Sequence, residues 1–389
     1  MISRNNILLI LVLVLIAAAI YFFAPSKHYA ETAVANENFF LGTVIKIPDN
    51  GKIARHIKTP ESVKAVYMTS WVAGTASMRE RLLTLIDETE VNAVIIDIKD
   101  DTGKISYLIE SEPFKSLGAS ENRIPNIEAF IERLHDKNIY VIGRIATFQD
   151  PFLIKKWPEE AVKTKSDPEK LWRDRKGLGW FDAGSEKVWE YVVTLAEHSY
   201  SVGFDEINFD YIRFPTDGNM QDILYPLSEG KSKPEVLESF FVYLDEKMRT
   251  EKNPIPISAD LFGMTTTNTD DLGIGQVLEK ALPYFDFICL MVYPSHYPNT
   301  WNGYKKPAEQ PYDVIKAAMS KAVERATAMG EDPDKLRPWL QDFNLGAVYT
   351  AEMVRAQITA TNDVGLDSWL MWDPKNIYTK KAFLPAPAL

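Results

Sequence analysis

From residue 65 onward, short apolar runs alternate with longer segments of helical spacing. The runs are AVYMTSW (65–71), AVIIDIK (93–99), YVIGRIAT (140–147), EINFDYI (206–212), PISADLF (256–262), FICLMVY (287–293), RPWLQDF (337–343) and SWLMWD (368–373), each of strand length. Between them, residues 77–88, 124–136, 185–201, 235–249, 274–282, 313–329 and 350–362 carry helix-like patterns, with helix starts marked at Ser185 and Thr350. Strands separated by helices pair in parallel, through crossovers. Eight such strands predict an α/β fold closed as a (β/α)8 TIM barrel, which typically takes about 250 residues plus insertions. A doubly wound open sheet is the structural rival. Its nucleotide-binding forms need a glycine-rich turn after the first strand, and the turn after AVYMTSW holds only Gly74. The longest gap, 148–184, contains Trp157, Trp172 and Trp180 and is expected to be a lid or substrate wall. Residues 213–234 form a second, polar insertion.

The pattern is different at the N-terminus. Residues 7–24, ILLILVLVLIAAAIYFFA, are eighteen uncharged residues. A signal-peptide core usually has about 7 to 15 residues, and this run is long enough to span hydrocarbon. The chain therefore divides into a transmembrane signal anchor (1–24), a linker or wrapping segment (25–63) holding Pro25, Pro48 and Pro60, and a barrel domain (64–389). Arg4 on the short side favours an inward N-terminus, placing the barrel outside the cytoplasm on a single-pass anchor in the cell membrane. Cleavage near Ala33, Val34 and Ala35, with secretion, is the alternative.

Composition narrows the function. With 46% hydrophobic and 12% aromatic residues the chain can bury a large core. A net charge of -11 without a basic stripe argues against a nucleic-acid partner, which requires clustered Lys and Arg. The single Cys289 and five histidines without an HExxH pattern give no zinc motif, and no metal or cofactor is expected.

Strands of a barrel point alternate residues at the helices and at the axis. In EINFDYI this puts Ile207, Phe209 and Tyr211 on the helix side, with Asn208 and Asp210 facing the axis. Asp210 lies near the strand's C-terminal end, where barrel active sites are built. An isolated buried charge is costly, so Asp210 either reacts or is held by a partner such as Arg213 or a tyrosine hydroxyl. Asp260 in PISADLF and Asp97 in AVIIDIK occupy similar strand ends, Asp97 having Lys99 or Arg144 as alternative structural partners. Asp100 and Asp101 have the character of turn residues, although with Asp97 they also allow a Ca2+ or Mg2+ site. Glu206 starts its strand and is expected to be structural. Aromatic residues gather at the same rim, with Trp71, Tyr293 and Trp372 as platforms for sugar faces and His296 as either a loop residue or a ligand for hydroxyls.

Paired carboxylates without metal ligands, a phosphate loop or a nucleophilic Ser or Cys motif point to glycosidic bond chemistry on a polysaccharide or oligosaccharide. Asp210 is then nucleophile or base and Asp260 the acid, or the reverse. A non-catalytic carbohydrate-binding protein on a degenerate barrel is the alternative.

Taken together, KAVYMTSW, NAVIIDIKDDTG, GFDEINFDYIRFP, ISADLFG, LMVYPSHY and SWLMWD resemble the putative glycoside hydrolase domain, a family of bacterial barrel proteins, over about residues 64–380. The resemblance implies a TIM barrel, a carbohydrate substrate and glycosidase activity. A more distant similarity is to family-18 chitinases, whose strand-four motif DGxDxDxE matches Asp205, Asn208 and Asp210 here, with Met291 and Tyr293 on the strand-six motif and Trp369 or Trp372 on the last. The chitinase glutamate falls on Ile212, which cannot donate a proton. Any hydrolysis then needs an acid from elsewhere, for which Asp260 is the candidate.

Overall fold

The computed structural model describes residues 54–251 and 254–387. The apolar segment 7–24 and most of the expected linker lie outside the described residues. Among the described residues no helix is long and apolar enough to cross a membrane.

All eight apolar runs form strands: β1 (Lys64–Met68), β2 (Ala93–Lys99), β3 (Tyr140–Ala146), β4 (Glu206–Asp210), β5 (Ile257–Phe262), β6 (Phe287–Met291), β7 (Trp339–Gln341) and β8 (Trp369–Trp372). Neighbours pair in parallel in chain order, and β8 returns to β1 with Lys64 opposite Trp369, so the sheet is closed. A closed sheet has no free edge and two separate apolar faces. Val66, Val94, Ile96, Val141, Ile207 and Phe209 pack outward against the helices. Ala65, Ala93, Ile95, Ile142, Cys289 and Leu370 fill the interior as a second, smaller cluster.

The interior floor is ionic. Glu206 accepts from Arg337 Nη1 at 2.8 Å and from the Tyr140 hydroxyl at 3.1 Å, with the ion pair almost entirely excluded from water. Glu206 is therefore a paired structural group, as its position at the start of the strand suggested.

Strand ends differ from the sequence pattern in one place that matters. β4 stops at Asp210, because Tyr211 adopts a left-handed backbone, φ 54°. Its amide donates to the Asp210 Oδ1 at 2.6 Å, fixing that turn of chain. The expectation that Tyr211 faces the helices is thus corrected: the strand's alternation ends one residue earlier, and the ring turns over the barrel mouth. β1 likewise ends early, at Met68, because Thr69 caps the short helix Ser70–Gly74 by accepting from the Val72 amide. The helical pattern of 274–282 shortens to Leu278–Ala281. Gly275 sits at φ +87°, which interrupts the expected helix after its first residue, and the N-cap Val277 is extended at φ -131°, so the helix starts at Leu278.

The two insertions join each other. Lys163–Thr164 pairs antiparallel with Ile223–Leu224, at the C-terminal end of the barrel. Trp172 and Trp180 are buried within this layer, which gives the insertion its own core.

Candidate active site

The strand-end acids converge on one cation, Arg144 of β3. Its Nη1 donates to Asp97 Oδ1 at 2.7 Å, its Nε to Asp210 Oδ2 at 3.1 Å, and its Nη2 bonds the same Asp210 oxygen. Asp260 Oδ2 lies 3.8 Å from the same Nε. The partner that the sequence left open for Asp97 is therefore Arg144 rather than Lys99, and Asp210 is held by Arg144 rather than by Arg213.

Each acid has a different second environment. Asp97 accepts from the Tyr67 hydroxyl at 2.5 Å. Burial raises the Asp97 carboxyl, opposed by Arg144 and the Tyr67 hydrogen bond. Asp260 is only 1% exposed and accepts, on Oδ1 alone, from Trp339 Nε1 at 2.8 Å and Asn208 Nδ2 at 2.9 Å. Burial, and then the charge of Asp210, push the Asp260 carboxyl up to about 8. It is thus neutral at pH 7 beside Asp210, the pattern of two carboxyls held in different protonation states. Because Oδ2 of Asp210 and Oδ2 of Asp260 lie 3.1 and 3.8 Å from one nitrogen, they are at most roughly 7 Å apart.

Asp210 opens onto a cavity of about 370 Å3, whose wall also includes Tyr211, Arg213, Phe262, Tyr293 and His296. Burial lowers the His296 imidazole below its usual range, leaving it neutral at pH 7. An adjoining cavity of about 230 Å3 shares Tyr211 and Arg213 and is lined further by Asp101, Asp174, Trp180 and Asp217. The long insertion thus supplies part of a wall, as its length suggested. A larger cleft, about 630 Å3, lies at the opposite end of the barrel around Pro256 and Phe287 and contains none of the strand-end acids.

Other expected site residues are placed as follows. Trp372 stacks on Tyr67 at 4.1 Å, and its ring lies 5.6 Å from the Arg144 guanidinium carbon. Asn208 sits below the mouth, between Ser258 and Asp260, and is not on the cavity wall. Asp260 is not on that wall either. Trp71 stands apart on the Ser70–Gly74 helix, 61% exposed, with Arg123 over its ring at 4.9 Å. Asp100 bonds Thr102 and Arg123, which explains it as a turn residue. Among the described residues no group of three His, Cys, Asp or Glu side chains clusters to hold a metal ion, and Asp97 and Asp100 face different arginines.

Residues 65–378 match the family described as "Putative glycosyl hydrolase domain". The chain belongs to this family. A search of the curated proteins finds no match to the sequence. Among solved structures, a hypothetical protein from Ruminiclostridium thermocellum ATCC 27405 is 33% identical over 54% of this chain and 98% of its own, with a TM-score of 0.46. The PgaB (BpsB) glycoside hydrolase domain from Bordetella bronchiseptica is 14% identical over 81% of this chain and 95% of its own, with a TM-score of 0.58, a likeness of fold. A class V chitinase from Nicotiana tobaccum is 12% identical over 82% of this chain and 97% of its own, with a TM-score of 0.46.

Within this glycosyl hydrolase family member, the position that a chitinase gives to its glutamate is closed. Ile212 is fully buried in the apolar layer between barrel and helices, and its carbonyl accepts from Gln276 Nε2 at 3.3 Å. Tyr211 and Arg213, on either side of it, line the cavity, whereas Ile212 does not. Ile212→Glu is therefore expected to bury an unpaired carboxyl and cost about 3 kcal/mol or more of stability in denaturant titration, without creating chitin hydrolysis.

Sequence reasoning missed Arg144 as the centre of the site. The available signal was YVIGRIA itself, where Tyr140, Ile142 and Arg144 share the inward face and only Arg144 is charged. Trp339, which donates to Asp260 from two strands away, had no local signal: the two residues are 79 positions apart.

Proposed function

We propose that this protein hydrolyses glycosidic bonds of a polysaccharide outside the cytoplasm, with Asp210 meeting the anomeric carbon as nucleophile or base and Asp260 as the acid. One observation carries this reading: two strand-end carboxyls share Arg144, one opening onto a cavity and the other held protonated by burial. Asp260 uses only Oδ1 for its two hydrogen bonds, so Oδ2 is the oxygen left to carry the proton. Protonation of the glycosidic oxygen and attack by Asp210, or by water that Asp210 activates, then separate the charges that the site already keeps apart. The spacing limit of roughly 7 Å is compatible with a retaining pair, for which about 5 to 5.5 Å is usual, and with the lower end of the inverting range, from about 6.5 Å. Asp97 acts as a positioning residue, fixing Arg144 and the Tyr67–Trp372 stack. Tyr293 and His296 contact the sugar from the cavity wall, and Trp71 is an outlying platform on the rim. The apolar segment 7–24 supports a membrane tether that keeps the barrel on the outer side.

A second reading, sugar binding without turnover, is favoured by the absence of Asp260 from the cavity wall. Reducing-sugar release by the purified full-length protein from a polysaccharide panel distinguishes the two. Binding without release on every member would leave only the second reading.

The protonation of Asp260 gives a sharper check. If it is the acid, kcat/KM falls as pH rises through about 8, and the residual activity of Asp260→Asn lacks that limb. Stability moves in the same window. In the unfolded chain the group ionises near about 4, whereas in the folded chain it stays protonated to about 8, so the native state binds the extra proton between these values. The contribution is full below the unfolded value and is lost as pH rises through the folded one. Asp260→Asn, neutral at every pH, is therefore expected to gain in Tm relative to the parent as pH goes from 5 to 8. An unchanging difference would show that Asp260 is ionised in the folded protein.

A further inference from the structure

Arg213 makes no ion pair among the described residues, and Asp210, Asp217 and Asp174 act on it only at longer range. Its guanidinium carbon lies 4.7 Å from the ring centre of Trp180, 4.9 Å from Phe262 and 5.6 Å from Tyr211. Its single hydrogen bond runs from Nη1 to the Phe214 carbonyl at 3.1 Å, and among the described residues no carboxylate lies within 4.0 Å of it. Arginine has five N–H donors in a rigid fork, and most of this fork is uncommitted. A buried cation usually has an anionic partner, because aromatic faces replace only part of the lost hydration. The side chain is half-buried and sits in the wall shared by the two cavities at the barrel mouth.

We infer that Arg213 binds the carboxylate of an acidic sugar in the cavity that also contains Asp210. This names the substrate class for the proposed site and rests on reading that cavity as a sugar site. The larger cavity is favoured over the smaller by charge. The smaller is lined by three carboxylates, Asp101, Asp174 and Asp217, against Lys176 and Arg213, so its wall is net negative and repels an anion. The larger has one carboxylate, Asp210, already paired with Arg144. A sugar carboxylate presents two oxygens that the arginine fork can meet with parallel N–H···O bonds. The aromatic rings around Arg213 give apolar surface to the sugar ring carrying that carboxylate. The overall charge of -11 offers no long-range attraction to a polyanion, so the preference is expected in affinity rather than in association rate.

Carboxylates occur on sugars as uronic acids and as the lactyl ether of muramic acid, and calorimetric binding separates these sources without requiring turnover. The full-length protein is titrated with trigalacturonate against its methyl ester, and with the N-acetylglucosamine–N-acetylmuramic acid disaccharide against chitobiose. At least one acidic member is expected to bind about tenfold or more tighter than its neutral counterpart, with the advantage shrinking at high salt. Arg213→Gln should erase that advantage, weakening the acidic ligand far more than its neutral counterpart, and Arg213→Lys should restore only part of it, since a point charge lacks the fork. Equal affinities within both pairs on the unmodified protein would overturn the inference whatever the variants do, as would discrimination that survives Arg213→Gln. Sugar binding with no hydrolysis of any substrate would instead count against the proposed glycosidase and leave Arg213's role standing.

Discussion

Asp210→Asn is expected to lower kcat by roughly 10²- to 10⁴-fold, with little change in affinity for neutral sugars. The substitution keeps the shape of the side chain and removes the charge that faces the cavity. Arg144 retains Asp97 at 2.7 Å, so its charge stays compensated and the barrel should fold. The amide also removes the Asp210 charge, which is the second cause, after burial, of the raised Asp260 carboxyl. Any residual activity should therefore lose its alkaline limb at a lower pH than the parent protein does. Those two effects, a collapsed kcat and a displaced limb, are not produced together by a folding defect. Steady-state kinetics with a thermal melt as control makes the check. A variant within tenfold of the parent would show that Asp210 does not react.

The fold was legible because it depends on repetition. Each of the eight runs has its own apolar face, and each error was local: Thr69 starting a helix, Gly275 delaying one, Tyr211 taking a left-handed turn. The period-2 pattern also placed Asn208 and Asp210 inside the barrel, since Ile207 and Phe209 needed the helix layer. The site was legible only in its acids. Which cation they share depends on the register of four adjacent strands, in which Arg144 lies opposite Asp97 and Asn208 while Asp210 and Asp260 stand two residues further along, and no spacing along the chain encodes that register. Arg213 is the clearest case. In sequence it is a candidate partner three residues after Asp210, yet Asp210 pairs with Arg144 and the Arg213 guanidinium lies among Trp180, Phe262 and Tyr211.

Arg144→Gln is expected to be the most destabilising single substitution at the barrel mouth, costing roughly 3 to 5 kcal/mol near neutral pH. The loss does not equal the worth of the ion pairs, because forming them required desolvating every charge. It arises from what is left behind: Asp97, Asp210 and Asp260, all buried, facing one another without a cation. Burial raises Asp97 already and Arg144 opposes it, so removal of the arginine lifts that carboxyl further. The sign of the pH effect follows. A carboxyl whose folded value lies above its unfolded value favours folding most at acid pH and loses that contribution as pH rises through the folded value. The deficit of Arg144→Gln should consequently be smaller at pH 5 than at pH 8. Adding Asp97→Asn to Arg144→Gln should recover part of the loss, since one of the stranded charges is then absent and the two residues are in direct contact. Arg144→Lys should fall between, because a single ammonium cannot bond Asp97 and Asp210 together in the planar arrangement of the fork. Denaturant titrations of the three variants at pH 5 and 8 carry the test. A deficit equal at both values would mean that Arg144 matters for its volume among Tyr67, Tyr211 and Trp372 rather than for its charge.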